Sequence, residues 1–354
     1  MGNSKIILLG KVTKTMRFIE NIVKIELVMI KFNYIKGGRN MIFKNKYNEV
    51  RSGWKILLVF LLSYALTLGI SILIGIVIGI VLLSNGNTDY LMNFNIELNT
   101  EYELIFQITT SISNIIFILS CIIMWKLFEK KKISKMGITP IKKGYKELIV
   151  GLALGAFTMS IVAIVIMSIG DVSLINPISK PQITISLLYG LVGFIFVGFG
   201  EEILSRGYIM SVLKQTRNKW IVLLGPALIF AALHLGNNGI DLLSFINLFL
   251  VGVLFAYMFM KSKNLWMPIG YHITWNYFQG YIWGFGVSGI GVNGLYKVEN
   301  ISNNIINGGA FGPEGGIVVT IITCLTFYFV YRYYKNNDVD EFMKIENKEE
   351  LEVN

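Results

Sequence analysis

"LLYGLVGFIFVGFGEEILSRGYIMSVL", residues 187–213, is apolar for long enough to cross a bilayer, yet it carries Glu201, Glu202 and Arg206 near its middle. About 20 helical residues span the hydrocarbon of a membrane. Ionisable groups inside that layer cost a few kcal/mol each, so they face a protein interior or a wet cavity rather than lipid. The stretch therefore predicts a membrane helix with one chemically occupied face.

The rest of the chain repeats the apolar part of this pattern. Of its 354 residues 54% are hydrophobic and 15% charged, where an ordinary soluble domain is roughly a quarter charged. Apolar runs fall near 55–83, 104–125, 147–169, 183–213, 220–235, 242–260, 265–283 and 316–334. They predict an all-α fold, a polytopic transmembrane bundle of about eight membrane helices. The fourth run is too long and too polar at its inner end for a plain span, and the fifth is short.

Loop charges orient the bundle. The connection 126–146 carries eight Lys, and Lys214, Arg217, Lys219, Lys261, Lys263, Arg332 and Lys335 fall at helix ends on the same side. The intervening loops 84–103, 170–182, 236–241 and 284–315 hold only Lys180 and Lys297. By the positive-inside rule both termini are expected in the cytoplasm. The same clustering explains the net charge of +10 without nucleic acid as a partner.

One domain is expected, a transmembrane bundle over 51–340 between a basic cytoplasmic segment at 1–50 and an acidic tail at 341–354. The phrase "KGGRNM", residues 36–41, resembles a translated ribosome-binding site, so Met41 is a candidate initiator. A basic interfacial helix at 16–32 is the competing reading. No cleavable signal is read in the N-terminal stretch. Cys121 and Cys324 sit in apolar runs without C-x-x-C spacing, which predicts neither a disulfide framework nor a thiolate metal site.

The only two histidines, His234 and His272, both fall in apolar segments. Counting at about 1.5 Å per residue from the nearest cytoplasmic charge puts Glu201, Glu202, His234, His272 and Asn276 all roughly 13–22 Å deep. Five polar groups from three helices thus share one layer. Glu202 and Arg206 are four residues apart on one helical face, so the guanidinium can hold one carboxylate ionised and leave Glu201 for other work. Phe230 with His234, and His272 with Asn276, repeat that spacing. Two imidazoles, two carboxylates and an amide can position a water molecule, on a metal such as Zn²⁺ or by hydrogen bonds alone. Taken singly, the ion pair reads equally well as a packing device and each His as a packed core residue. Glu314, in the Gly-rich "GGAFGPEGG" at 308–316, reads as a loop residue without a role.

Three motifs, EExxxR at Glu201, Glu202 and Arg206, FxxxH at Phe230 and His234, and HxxxN at His272 and Asn276, follow one another in order. In this the chain resembles the CPBP family, which includes the type II CAAX prenyl endopeptidases and the Abi-type bacterial membrane proteins, with a core at about 180–334. The resemblance implies intramembrane peptide-bond hydrolysis. It makes Glu201 the general base acting with His234, Glu202 its support held by Arg206, and His272 and Asn276 the oxyanion donors. A second partition places a divalent metal such as Zn²⁺ on His234, His272 and Glu202.

The abundance of Ile, Lys and Asn points to an AT-rich bacterium, and hence to a bacterial cytoplasmic membrane, where CAAX proteins are not ordinarily prenylated. A cavity reached from the cytoplasm would suit a membrane-anchored peptide or protein, such as a pheromone or bacteriocin precursor. A non-catalytic bacteriocin-immunity or scaffold protein and an ion-coupled transporter are the competing readings; the transporter is disfavoured by the lack of internal repeats.

Overall fold

The computed structural model describes residues 42–45, 48–84 and 100–344. The expected N-terminal start at Met41, the interfacial helix at 16–32 and most of the acidic tail lie outside the described residues. The chain divides into two units, Met1–Trp54 and Lys55–Asn354. In the first, an antiparallel bridge joins Lys44 and Val50, and the Trp54 indole donates to the Ile42 carbonyl at 3.0 Å.

The second unit is an integral membrane helix bundle. Its helices are α1 (Ser52–Ser84, which begins in the first unit), α2 (Thr100–Phe128), α3 (Ile141–Ile169), α4 (Ser186–Glu202), α5 (Lys219–Leu233), α6 (Leu242–Ser262), α7 (Trp266–Tyr277), α8 (Ile317–Tyr333) and the short α9 (Val339–Met343). Among the described residues five stretches are long and apolar enough to cross a membrane, namely Ser52–Val77, Glu103–Phe128, Ile133–Ile169, Ser186–Thr216 and Leu242–Ser262. Apolar α5 and α8 are shorter, and α7 has 12 residues before its turn widens. About eight membrane helices were expected, with the fourth overlong and the fifth short; among the described residues five are long and apolar enough to cross, and shorter ones pack among them.

The fold is not purely helical. Val172–Leu174 (β1) and Val298–Asn300 (β2) pair antiparallel in the register Val172↔Asn300, Ser173↔Glu299 and Leu174↔Val298. Two connections that read as plain loops meet at the same end of the bundle, and their backbone groups satisfy one another by pairing.

Two helices show how the sequence sets their places. In α1, Leu57, Leu61, Leu68, Leu73, Val77 and Ile80 are all exposed; this helix turns most of its apolar surface to lipid. Helix α3, in contrast, is drawn tightly against α7. A Cβ added at Gly155 would lie 2.4 Å from both the Tyr271 carbonyl and the Thr274 hydroxyl, so only glycine allows that approach. Thr274 donates to the Leu152 carbonyl at 2.8 Å, and the Thr158 and Tyr271 hydroxyls are 3.0 Å apart. Hydrogen bonds across helices tie α7, which carries His272, to a rigid neighbour.

The two ends of the bundle differ. At the Lys-rich end, the Leu265 amide donates to the Gly137 carbonyl at 3.1 Å, the Trp266 indole to Thr139 at 3.1 Å, and Lys261 to the Asn337 carbonyl at 2.6 Å. Behind these contacts is an apolar core that includes Met136, Tyr208, Met210, Phe259, Leu265 and Ile269. At the other end the chain crosses over in long connections. Asn304 and Asn307 each donate to the Gly170 carbonyl, at 3.1 and 2.6 Å.

Candidate active site

Helix α4 does not end at Glu202. Its turn widens into a π-helical segment, Ile203–Ile209, then tightens again over Met210–Leu213. A second π segment, Phe278–Ile282, follows α7 directly after Tyr277. Single widened turns of this kind are rare and concentrate at functional sites. Here each begins within two residues of a motif residue, after Glu202 and after Asn276. The spacing that pairs Glu202 with Arg206 therefore holds across a junction between α and π geometry, which the sequence did not signal.

The structure separates the two neighbouring glutamates sharply. Glu202 is fully buried, whereas the Glu201 side chain is 31% exposed. Glu202 Oε1 accepts from Arg206 Nη1 at 2.9 Å and from His272 Nδ1 at 2.9 Å. Arg206 is itself enclosed. Its Nη2 donates to the Gly252 carbonyl of α6 at 3.1 Å, and its guanidinium carbon lies 4.6 Å from the Phe230 ring centroid and 5.2 Å from that of Phe255. Such placement over aromatic faces is favourable for a desolvated cation. A buried charge needs both a partner and hydrogen bonds to be tolerated; this arrangement supplies both at Arg206 Nη1 and Nη2 and Glu202 Oε1, while Arg206 Nε and Glu202 Oε2 are buried with no partner among the described residues.

The ring nitrogens of the two histidines are assigned by their partners. His272 Nδ1 faces a carboxylate and His234 Nδ1 faces the Phe230 carbonyl at 2.8 Å. Both partners can only accept, so each Nδ1 carries its proton and, in the neutral ring, each Nε2 keeps a lone pair. His272 Nε2 lies 3.9 Å from Glu201 Oε2. His234 is the residue that closes the C-terminus of α5, with φ −93° and ψ 0°. It was expected inside that helix; instead its side chain leaves from the helix end, at the edge of a cavity.

That cavity has a volume of about 280 Å³, and its walls include Glu201, His234, His272 and Asn276. Asn276 is only 7% exposed, and its side-chain amide has no hydrogen-bond partner among the described residues, so its donors are open to the cavity. Glu202 and Arg206 do not reach the wall. Of the seven residues named by the motifs, Glu201, Phe230, His234, His272 and Asn276 share one chamber, and Glu202 and Arg206 sit behind His272 as a charge pair.

A metal on His234, His272 and Glu202 does not fit this geometry. Glu202 Oε1 is already committed twice, and its Oε2 is closed off from any surface. Glu202 also meets His272 on Nδ1, on the side of the ring opposite the free Nε2. Among the described residues no group of three or more His, Cys, Asp or Glu is arranged to hold a metal ion.

The motifs missed part of the chamber. Gln107, Asn237, Asn247, Ser288 and Glu314 also line it. Glu314 is 8% exposed, and its Oε2 accepts from the Ser288 amide and hydroxyl at 2.8 and 2.7 Å. Asn247 donates to the Glu314 and Gly316 carbonyls at 2.8 and 2.9 Å. The glycines around Glu314 let that loop fold so tightly. Gly312 has φ +92°, and a Cβ there would lie 2.3 Å from the Gly286 carbonyl. A carboxylate inside so constrained a loop was the available signal, because a merely solvated Glu needs no such turn.

The model of the family described as type II CAAX prenyl endopeptidase Rce1-like matches residues 183–278. The match runs from just before α4 to the first residue of the second π segment and contains all three motifs. No curated protein matches the chain. Residues 183–278, which bring Glu201, His234, His272 and Asn276 to one cavity, are thus the part of the chain similar to the type II CAAX prenyl endopeptidase Rce1-like family.

Proposed function

We propose that the protein is an intramembrane endopeptidase that hydrolyses a peptide bond in a membrane-associated peptide or protein. The observation that carries the reading is the division between neighbours: Glu201 faces the chamber while Glu202 is locked behind it. A structural ion pair would explain Glu202 and Arg206 alone. It would not explain a second carboxylate left open beside two imidazoles with free Nε2 atoms and an unpaired amide. The similarity to the type II CAAX prenyl endopeptidase Rce1-like family supports the same reaction class.

In this mechanism a water in the chamber gives its proton to Glu201 as its oxygen attacks the scissile carbonyl carbon. His234 Nε2 accepts a second hydrogen bond from that water and aims it. The carbonyl oxygen becomes an oxyanion, which the Asn276 amide stabilises, joined by His272 Nε2 once that nitrogen has taken up a proton. Collapse breaks the C–N bond, and the proton held by Glu201 passes to the leaving amine. The Glu202–Arg206 pair holds the His272 ring in place through its Nδ1. A metal-assisted route would need ligands other than Glu202.

A substrate bearing a literal prenylated CAAX tail is not required by any of these contacts. A non-catalytic scaffold of the same fold would have no use for the open Glu201. The test is hydrolysis of a quenched membrane-anchored peptide by purified protein in nanodiscs. Glu201→Gln, which preserves size, is expected to lower the rate by about 10²–10⁴-fold, the usual weight of a general base. An unchanged rate with Glu201→Gln would remove this reading.

A further inference from the structure

We infer that Glu314 is a specificity-determining residue, whose open carboxylate oxygen receives the ammonium group of a Lys side chain close to the scissile bond. The inference rests on the hydrolase reading for the word scissile; the ammonium site stands on the chamber wall itself.

The first observation is what Glu314 leaves open. The residue lines the chamber and is 8% exposed. Its Oε2 accepts from both the amide and the hydroxyl of Ser288. Its Oε1 takes no hydrogen bond among the described residues, yet it is not closed off as Glu202 Oε2 is. Ser288 has φ +48°, a left-handed conformation that a residue other than glycine keeps only when its surroundings hold it. One accepting oxygen holds that turn, and a neutral amide could supply it. A carboxylate adds a charge that the turn does not need.

The second is the balance of charge. Glu201 and Glu314 both face the cavity, and none of the described residues lining it is Lys or Arg. Arg206 is enclosed behind His272 and committed to Glu202. A carboxylate without a cation is costly away from bulk water, and a ligand cation lowers that cost on entry. Asn276, 7% exposed, brings an unpartnered amide to the same cavity. The wall thus offers an acceptor for a cation and a donor for a carbonyl, the two polar groups of a Lys residue in a peptide.

The third is the kind of cation. Ser288 occupies Oε2 twice, so the two parallel oxygens that a guanidinium grips are not both available. A single open oxygen suits the compact ammonium of Lys.

Position follows from the same contacts. The Ser288 carbonyl accepts from the Asn237 side chain at 3.0 Å, and the Asn237 amide donates to the His234 carbonyl at 3.0 Å. The Glu314 wall is thereby tied to the turn that carries His234. The cavity measures about 280 Å³, and an extended chain advances about 3.5 Å per residue. A cation held by Glu314 therefore belongs to a residue at the scissile bond or beside it.

The experiment uses the full chain in nanodiscs and quenched peptides with an N-terminal acyl anchor, so that no α-ammonium is present. Each peptide carries one Lys or one norleucine at successive positions. Wild type is expected to show kcat/KM about 10–100-fold higher for Lys at one position, the usual weight of a hydrogen bond to a charged group. An Arg peptide should gain less, and an equal gain overturns the choice of ammonium. Glu314→Gln, which can keep the Ser288 bonds, should bring the Lys and norleucine rates together. A purely structural role would lower both and leave their ratio. No Lys preference in wild type, or one that survives Glu314→Gln, overturns the inference. If that variant fails to fold, Glu314→Asp shortens the reach of the charge and should narrow the ratio; an unchanged ratio overturns it.

A second arm measures binding of the same peptides to Glu201→Gln protein, where Glu314 is the remaining carboxylate of the wall. The Lys peptide should bind about tenfold tighter than norleucine, and adding Glu314→Gln should make the two alike. Equal binding without that second substitution overturns the inference. If wild type cleaves no peptide, the hydrolase reading fails while the binding result still decides the ammonium site.

Discussion

The two ends of the bundle are built by different physics. At the Lys-rich end, apolar side chains such as Met136, Phe259 and Leu265 fill the space between helices, and charged groups sit outside them. At the chamber end, side-chain amides do the joining. Asn176, Asn304 and Asn307 bond backbone groups of other connections, and Glu103 accepts from the Tyr281 hydroxyl at 2.6 Å and from the Asn293 side chain at 3.1 Å. Apolar packing is non-directional and closes space, while hydrogen bonds hold strands of chain apart at fixed distances. The chamber lies at the second kind of end, and Glu201, His234, His272 and Asn276 sit where one kind gives way to the other.

The strongest test of that boundary is the charge pair upon it. Removing Arg206 with Arg206→Ala strands Glu202 in a closed interior, and breaking such a pair costs about 3–5 kcal/mol. Glu202→Ala should cost a similar amount, and the double variant markedly less than the two singles combined, because neither then leaves a lone charge. Additive losses, measured by unfolding in detergent, would show that the pair does not mark the boundary.

At the Lys-rich end, Phe259→Ala should lower stability by about 3–5 kcal/mol, since its ring is 1% exposed against Phe342 and its neighbours. Hydrolysis at temperatures where the variant stays folded should be little changed. On the opposite end, Asn307→Ala removes the bonds that Asn307 donates to the Gly170 and Ser302 carbonyls and accepts from the Asn304 and Gly309 amides, and should cost about 1–3 kcal/mol. It should also reduce hydrolysis through the loosened connections. If Phe259→Ala harms activity more than Asn307→Ala at equal folded fraction, the two ends are not distinct in the sense drawn here.

The smallest effect is expected at the start of α6. Asp241 caps that helix by accepting from the Ser244 amide at 2.8 Å, and the Ser244 hydroxyl bonds it at 2.6 Å. Partial burial works against its charge, but the bonds from Ser244 and nearby amides win and hold the carboxyl below its ordinary range. Its folded pKa is depressed, so its contribution is present above the usual carboxylate pKa and is lost as pH falls through the lowered value. Asp241→Ala should cost about 1 kcal/mol at neutral pH. The difference from wild type should vanish in acid, and a difference that persists there would assign the effect to packing.

Much of the membrane-embedded part was legible because its cause is local. Runs of Ile, Leu, Val and Phe impose helices wherever lipid is the solvent, and the three motifs announced themselves as charges where none are cheap. Other features have no local cause. The β1–β2 pair exists because two distant connections meet; Val172 alone does not ask for Asn300. The π turns after Glu202 and Asn276 follow from how neighbours pack, and Ile203–Ile209 reads as ordinary helix. Glu314 was passed over because a Glu in a Gly-rich loop is usually solvated, and only the Ser288 and Asn247 contacts show otherwise.

The short range of the Glu202–Arg206 contact also bears on how the chain enters the membrane. Both charges leave the ribosome on one segment and can neutralise each other within a single turn, before α6 supplies the Gly252 carbonyl or α7 supplies His272. The segment can thus partition as a unit with one uncompensated carboxylate, Glu201, instead of three ions. That leftover charge is a cost during assembly until the later helices enclose it, so the carboxylate that opens on the chamber is also the one that makes its own helix hardest to insert.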